Sequence, residues 1–141
     1  MTTSFVVDAS VCAAWFLPEE TTAYTESALQ ATAQMSVWVP ALWQLEMGNL
    51  LLSAQRRRRI TDAKRRELVG AASGLRVYVD RDAVPMTELD ELAAAHGLTT
   101  YDATYLELAL RRRLPLATLD KTLRKAMGKA GVAWAALAPM A

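Results

Sequence analysis

The chain has 141 residues, of which 52% are hydrophobic, a length and composition typical of one folded domain with a sizeable core. Its only cysteine, Cys12, excludes an intramolecular disulfide, and its single histidine leaves no Cys/His cluster that would hold zinc. The net charge of +1 hides an asymmetry, because the first fifty residues contain five acids and no Lys or Arg, whereas all 16 basic residues follow.

Short apolar segments along the chain alternate between the periodicity of strands and that of helices. Runs rich in β-branched and aromatic residues predict strands at 4–7, 37–39, 76–79, 116–118 and 132–135. Helical periodicity predicts helices at 11–17, 21–34, 42–55, 62–73, 87–96, 102–112 and 121–129. Strands separated by helices predict an α/β fold, with a central parallel sheet of about five strands flanked by helices, in a single domain over residues 1–141.

Several residues stand where helix ends are expected. Pro40 suits the first turn of the third helix, and Asp62 suits the cap of the fourth. Gly74 and Gly97 suit the positions just after helix ends, and His96 is expected to cap the C-terminal end of its helix.

The N-terminal region and the longest uncharged stretch indicate where in the cell the protein is expected. No basic segment precedes Asp8, so we expect no signal peptide. The uncharged stretch at 27–45 contains polar residues and a proline, which argues against a membrane span. The sequence therefore predicts a cytoplasmic protein with no membrane partner.

Four acids, Asp8, Glu46, Asp102 and Asp120, each lie at or within an apolar segment. Asp8 follows the first predicted strand, Glu46 interrupts an apolar helix, Asp102 begins a helix, and Asp120 follows the fourth strand. Carboxylates against a core are costly unless a partner offsets their charge, and a divalent cation bound by oxygen ligands is a partner that all four can share. In open parallel sheets, ligands bind beyond the carboxyl ends of the strands, where Asp8 and Asp120 lie.

Three polar residues beside these acids are candidates for supporting roles. Ser10 and Thr118 are placed to orient an acid or a water, with helix capping as the alternative. Asn49 shares a helix face with Glu46 and is placed to hydrogen-bond a site carboxylate, with packing as the alternative. Every acid of the set except Glu46 also fits a helix cap, so the sequence leaves that alternative open.

The segments at 5–10, 46–49, 98–103 and 116–120 resemble, in order and spacing, the four acidic blocks of PIN-domain ribonucleases. More narrowly, they resemble those of the VapC toxins of bacterial toxin–antitoxin pairs. One such block alone is unspecific, but four in order, covering nearly the whole chain, form a specific pattern.

The resemblance implies a metal-dependent endoribonuclease that cleaves RNA phosphodiester bonds by in-line attack of metal-activated water. It implies that Asp8, Glu46, Asp102 and Asp120 are the catalytic residues and the ligands of Mg²⁺ or Mn²⁺. It also implies a homodimer and a VapB-like antitoxin whose tail covers the site, for which the apolar segment around Trp15 and Phe16 is a candidate groove.

The basic residues form three groups, at 56–66, 111–113 and 121–129, that are candidates for phosphate contact around an acidic site. Within the last group, Lys121, Arg124 and Lys125 are the candidate RNA-binding residues. Solvated helix ends are the alternative for all three groups.

Two other classes of protein also place acids after a first strand of a parallel sheet. A phosphohydrolase of the haloacid dehalogenase type requires Asp-x-Asp, but here Ser10 occupies the second acidic position. A receiver-like signalling module requires adjacent acids and a late lysine in a setting that Lys121 does not match. The chain also lacks the glycine-rich loops that bind nucleotide phosphates.

Overall fold

The computed structural model describes residues 3–137, which contain four strands, separated from one another by helices, and seven α-helices in all. The strands are β1 (Ser4–Val7), β2 (Ser36–Pro40), β3 (Tyr78–Asp80) and β4 (Leu116–Ala117). The helices are α1 (Ala9–Phe16), α2 (Ala23–Ala31), α3 (Leu42–Arg56), α4 (Asp62–Ser73), α5 (Met86–His96), α6 (Thr100–Arg112) and α7 (Lys121–Ala130), with a short 3-10 helix at Pro18–Glu20. The predicted α/β fold is confirmed.

The strands form one parallel sheet in the order β3-β2-β1-β4. In β1, Phe5, Val6 and Val7 are all fully buried although successive side chains of a strand point to opposite faces. Both faces of the central strand are therefore covered, as in other parallel sheets packed between helices. Because β1 and β4 are neighbours, their carboxyl ends lie side by side, and the backbone N–H of Asp8 donates to the carbonyl of Ala117 at 3.1 Å.

The expectation of a fifth strand at residues 132–135 is wrong. This segment meets the sheet only through a single parallel bridge between Leu116 and Trp134. Two hydrogen bonds make the bridge, from Leu116 N–H to the Ala133 carbonyl and from Ala135 N–H to the Leu116 carbonyl, both 3.0 Å. Since β4 itself has only two residues, the neighbouring segment has no ladder along which to continue.

Most predicted helix ends are close to those observed, with two local corrections. Thr61, not Asp62, caps α4, because its Oγ1 accepts the N–H of Lys64 at 3.1 Å. Pro40 is the last residue of β2 and does not belong to the first turn of α3. Gly97 ends α5 in the left-handed conformation at φ 63, which explains why a glycine stands there. Within residues 3–137, no helix has the length and apolar character needed to span a bilayer.

A second, smaller cluster of buried side chains supports α3 and α4 away from the sheet. It consists of Leu17, Leu51, Ala54 and Leu68. At its edge, Arg59 donates to Glu19 and, at 3.2 Å, to Glu20, which joins the loop after α3 to the 3-10 helix. Arg59 therefore has an intramolecular role within the group of basic residues at 56–66.

Candidate active site

Asp8 lies at the carboxyl end of β1 and is only 5% exposed. Its Oδ1 accepts hydrogen bonds from the Ser10 hydroxyl at 2.6 Å and the Val11 N–H at 3.2 Å, and its Oδ2 accepts one from the Thr118 hydroxyl. The bond from Val11 makes Asp8 the N-cap of α1, so the capping alternative holds for this residue alongside any other role. With donors on both oxygens, the carboxylate is fixed in one orientation.

The loop between β4 and α7 joins the same network of hydrogen bonds. The N–H of Leu119 donates to the Ser10 hydroxyl at 3.1 Å, and the N–H of Asp120 donates to the Thr118 hydroxyl at 3.0 Å. The Asp120 carboxylate caps α7 by accepting the N–H of Leu123 at 2.8 Å. The hydroxyls of Ser10 and Thr118 thus connect Asp8 to the loop that bears Asp120.

Asp102 and Glu46 project from two helices beyond the sheet. Thr99 caps α6 by accepting the N–H of Asp102 at 3.1 Å, so Asp102 lies in the first helical turn and is not the N-cap. Glu46 lies on α3, where its Oε1 accepts a hydrogen bond of 2.5 Å from the hydroxyl of Tyr105. Since Tyr105 is one turn after Asp102 on α6, this bond ties α3 to the helix that bears Asp102.

The four acids are close enough for their charges to interact. Burial raises the pKa of Asp8 above the usual value, and the charge of Asp102 adds to the rise, although hydrogen bonds to the carboxylate oppose it. Burial also raises the pKa of Glu46, with further rises from Asp102 and Asp8, against the hydrogen bond from Tyr105. Burial raises the pKa of Asp102 as well, and the charge of Asp120 adds to it. Asp102 thus interacts with the other three acids.

The carboxylate oxygens of the four acids are suitable ligands for a hard divalent cation. All of its side-chain donors are oxygens, which Mg²⁺ and Mn²⁺ prefer, and among residues 3–137 none of the four acids forms an ion pair with Lys or Arg. In the same part of the chain, no three His, Cys, Asp or Glu side chains already surround one point at ligand distance. Several of these carboxylates could therefore share a cation only if their side chains moved closer together. The charge of the cation would offset the repulsion between them.

Asn49 lies beside this site without bonding to it. No hydrogen bond joins its side chain to a site carboxylate within the described part of the chain, and it lines a cavity of about 340 Å³ with Glu46, Ser53 and Arg57. The residue is exposed, so it is not a packing residue either.

The basic group at 111–113 has a structural role that the sequence did not reveal. Arg111 donates to both carboxylate oxygens of buried Asp80, at 3.1 and 2.6 Å, and to Asp82 and Glu107. Arg112 also donates to Asp80, at 2.9 Å. The hydrogen bond from Arg111 lowers the pKa of Asp80, and the ion pairs attach the end of β3 to α6. Arg111 and Arg112 therefore have an intramolecular role as ion-pair partners of Asp80.

The three candidate RNA-binding residues are exposed on α7, immediately after Asp120. They do not share one surface. The guanidinium of Arg124 lies 3.7 Å from the ring centroid of Trp134, whereas Lys121 and Lys125 line a cavity with His96.

Two residues at the site were not anticipated from the sequence. Tyr105 binds Glu46, and Thr99 positions the first turn that carries Asp102. A buried tyrosine hydroxyl requires a partner, and Tyr105 is three residues from Asp102 on one helix, so its spacing was an available signal. The Thr99 cap was equally readable from its place before the helix.

The sequence predicts that His96 caps the C-terminal end of α5, but the buried Nδ1 of its ring makes no such contact. It is the last residue of α5, but its Nδ1 is buried without a hydrogen-bond partner among the described residues. That nitrogen therefore does not cap the helix.

Comparisons with known proteins agree with this architecture. The sequence model of the PIN domain matches residues 5–129. A solved structure, the crystal structure of PAE2754 from Pyrobaculum aerophilum, is 28% identical to the chain, with a TM-score of 0.64, over 88% of this chain and 79% of that one. No curated protein matches the sequence. The matched range includes all four acids, and the chain belongs to the PIN-domain family, whose members are generally metal-dependent nucleases.

Proposed function

We propose that this protein is a Mg²⁺- or Mn²⁺-dependent endoribonuclease whose catalytic and metal-binding residues are Asp8, Glu46, Asp102 and Asp120. The observation that carries the proposal is the hydrogen bonding between these segments. The hydroxyls of Ser10 and Thr118 connect Asp8 to the loop of Asp120, and Tyr105 connects Glu46 to the helix of Asp102. Family membership supports nuclease chemistry in general, and the resemblance of the four acidic segments to those of VapC toxins supports RNA as the substrate.

The chain's own residues prepare the site in a specific way. Ser10 and Thr118 fix the orientation of the Asp8 carboxylate with one hydroxyl on each oxygen. Tyr105 holds Glu46 from the side of α6. When bound, a divalent cation supplies Lewis acidity that lowers the pKa of water and offsets charge developing on a phosphate.

Positive charge for the RNA backbone is available next to the acids. Lys121 and Lys125 are exposed on α7 and make no ion pair within residues 3–137. Arg124 keeps the edge of its guanidinium available for a phosphate while its face rests on Trp134. We propose that these three residues position the strand, since phosphate contacts fix register without reading sequence.

The test is cleavage of total RNA with Mg²⁺ or Mn²⁺, followed by mapping of the cut ends. Asp8→Asn and Asp102→Asn should abolish cutting, because each removes a carboxylate from the shared set. Glu26→Gln, at an exposed position on α2, is the matched control and should cut at the same sites as the unaltered chain. Cleavage retained in both Asn variants would refute the assignment. Assays with a phosphomonoester and with an acyl phosphate test the two alternative classes, the phosphohydrolase and the receiver-like module.

We further propose that the protein is the toxin of a VapBC-type pair and acts as a homodimer. Since no Lys or Arg within residues 3–137 pairs with the four acids, a basic side chain on an antitoxin tail would find unneutralised carboxylates. Trp15 and Phe16, the candidate groove for that tail, are half-buried, and the Trp15 indole N–H donates to the Thr25 carbonyl at 2.9 Å.

Expression alone should arrest growth, and a small protein encoded beside it should restore growth. If Asp8→Asn arrests growth as strongly as the unaltered chain, toxicity does not come from nuclease activity. Light scattering during gel filtration measures whether the free protein is a dimer.

A further inference from the structure

A groove of about 360 Å³ lies between the end of α5 and one side of α7, and its lining contains no acid. Its lining residues are His96, Lys121, Thr122, Lys125, Ala126 and Lys129. The three lysines are exposed and, within the described part of the chain, form no ion pair. By contrast, Lys64 on α4 pairs with Glu67 at 3.3 Å.

The lysines form a regular row. They are separated by four residues each, so successive side chains leave the helix about 6 Å apart along its axis and on nearly the same side. Like charges at this spacing repel, and no acid among residues 3–137 forms an ion pair with them. A strand of phosphodiesters has negative charges at a comparable interval and would offset them one by one.

The row begins at the acidic site. Lys121 directly follows Asp120, whose carboxylate caps α7 and interacts with Asp102. From there Lys125 and Lys129 continue along the helix, away from the acids. A strand bound in the groove would therefore have one end over the acidic site.

Arg124 does not line the groove, so the phosphate contact proposed for it above would lie beside the groove. Its guanidinium stacks on Trp134, which in turn stacks on Tyr24 at 4.2 Å between ring centroids. Arg124 therefore belongs to the side of α7 that faces α2 and the C-terminal segment, and Lys129 takes its place in the row with Lys121 and Lys125.

The polar ring of His96 lies in the same groove as the lysines. Its ring lines the groove, and its Nδ1 is buried with no hydrogen-bond partner among residues 3–137. An unpaired buried nitrogen costs free energy unless a ligand or water supplies a partner.

We propose that this groove binds one flank of an RNA substrate as a single strand, with Lys121, Lys125 and Lys129 on three successive phosphates leading away from the cut site. This inference rests on the proposed nuclease function and extends it, because it assigns Lys129 and His96 to substrate binding and gives the strand a direction. A single row of charges on one helix follows one strand, so a duplex is not the preferred ligand.

The experiment measures binding of a fluorescent single-stranded RNA of twelve nucleotides, in chelator to prevent cutting, by anisotropy over a range of salt concentrations. Each Lys→Gln change at positions 121, 125 and 129 should lower the slope of log affinity against log salt by about 0.7, the value for one phosphate of a single strand. The triple variant should lower it by about 2. Lys64→Gln, which removes an equal charge from a paired lysine, should leave the slope unchanged.

A second measurement separates failure of the groove from failure of the proposed function. Asp102→Asn should keep the full salt slope while losing cleavage, and Lys129→Gln should lose slope while cutting at the same position. An unchanged slope in Lys129→Gln, an equal loss in Lys64→Gln, or tighter binding of a duplex than of the single strand would overturn the groove. Cleavage by Asp102→Asn would instead overturn the nuclease assignment, and the slopes would still decide the groove.

Discussion

Replacing Asp102 by Asn should have opposite effects on stability without and with a divalent cation. Asp102 interacts with Asp8, Glu46 and Asp120, so in chelator the substitution removes repulsion. Because Asp102 is only half-buried, solvent screens this repulsion and the gain should be on the order of 1 kcal/mol. With an unfolding entropy of about 0.3 kcal/mol per kelvin for 141 residues, the melting temperature should rise by about 3 °C.

In Mn²⁺ the order should reverse, because the cation stabilises only the folded state that binds it. At a hundredfold excess over Kd, binding adds about 2.7 kcal/mol to the unfolding free energy of the unaltered chain. By the same entropy, this corresponds to a rise of about 9 °C. Asp102→Asn should lose most of that rise, since it lacks the carboxylate that interacts with the other three.

Differential scanning fluorimetry with EDTA and with millimolar MnCl₂ measures both effects on the same samples. Glu26→Gln controls for loss of a negative charge elsewhere and should show the full rise in Mn²⁺. If the unaltered chain shows no rise, or if Asp102→Asn rises as much as it does, the four acids do not share a cation. They would then serve as helix caps and as partners of local hydroxyls.

Three further outcomes follow from the contacts within the site. Thr118→Val keeps the side-chain shape but removes the donor to Asp8 Oδ2, and should lower the unfolding free energy by about 1–3 kcal/mol in urea titrations. Tyr105→Phe removes the donor to Glu46 and should weaken Mn²⁺ affinity about tenfold, measured by calorimetry. Folding raises the pKa values of Asp8, Glu46 and Asp102, so above about pH 4 the folded protein binds more protons than the unfolded protein does. The unfolding free energy of the metal-free protein should therefore increase as the pH falls from 7 towards about 5.

Each of these outcomes has a contrary result. Thr122→Val, at an exposed position on α7, should hardly change the unfolding free energy. If it lowers that free energy as much as Thr118→Val does, the hydrogen bond from Thr118 to Asp8 is not the cause of the loss. Unchanged Mn²⁺ affinity in Tyr105→Phe would mean that the tyrosine serves packing alone. A metal-free protein that loses stability steadily from pH 7 to 5 would show that the three carboxyls are not raised in pKa.

The sequence determined the order of elements and the acidic segments, because these depend on neighbours along the chain. The buried run of β1 followed by Asp8 is visible in five residues, and Gly97 marks a helix end through its own backbone preference. The cap of α4 was missed by one residue, at Thr61, since Thr and Asp satisfy the same N–H groups.

Only the tertiary structure decided which side chains meet across the sheet. Pairing of Arg111 and Arg112 with Asp80 joins residues about thirty positions apart, so two arginines of a run that suggested phosphate contact have ion-pair partners within the chain. The fifth strand likewise depended on the length of β4, which ends where Thr118 turns to bind Asp8. Hydrophobic periodicity cannot report either event, because both are set by the distance between segments that packing brings together.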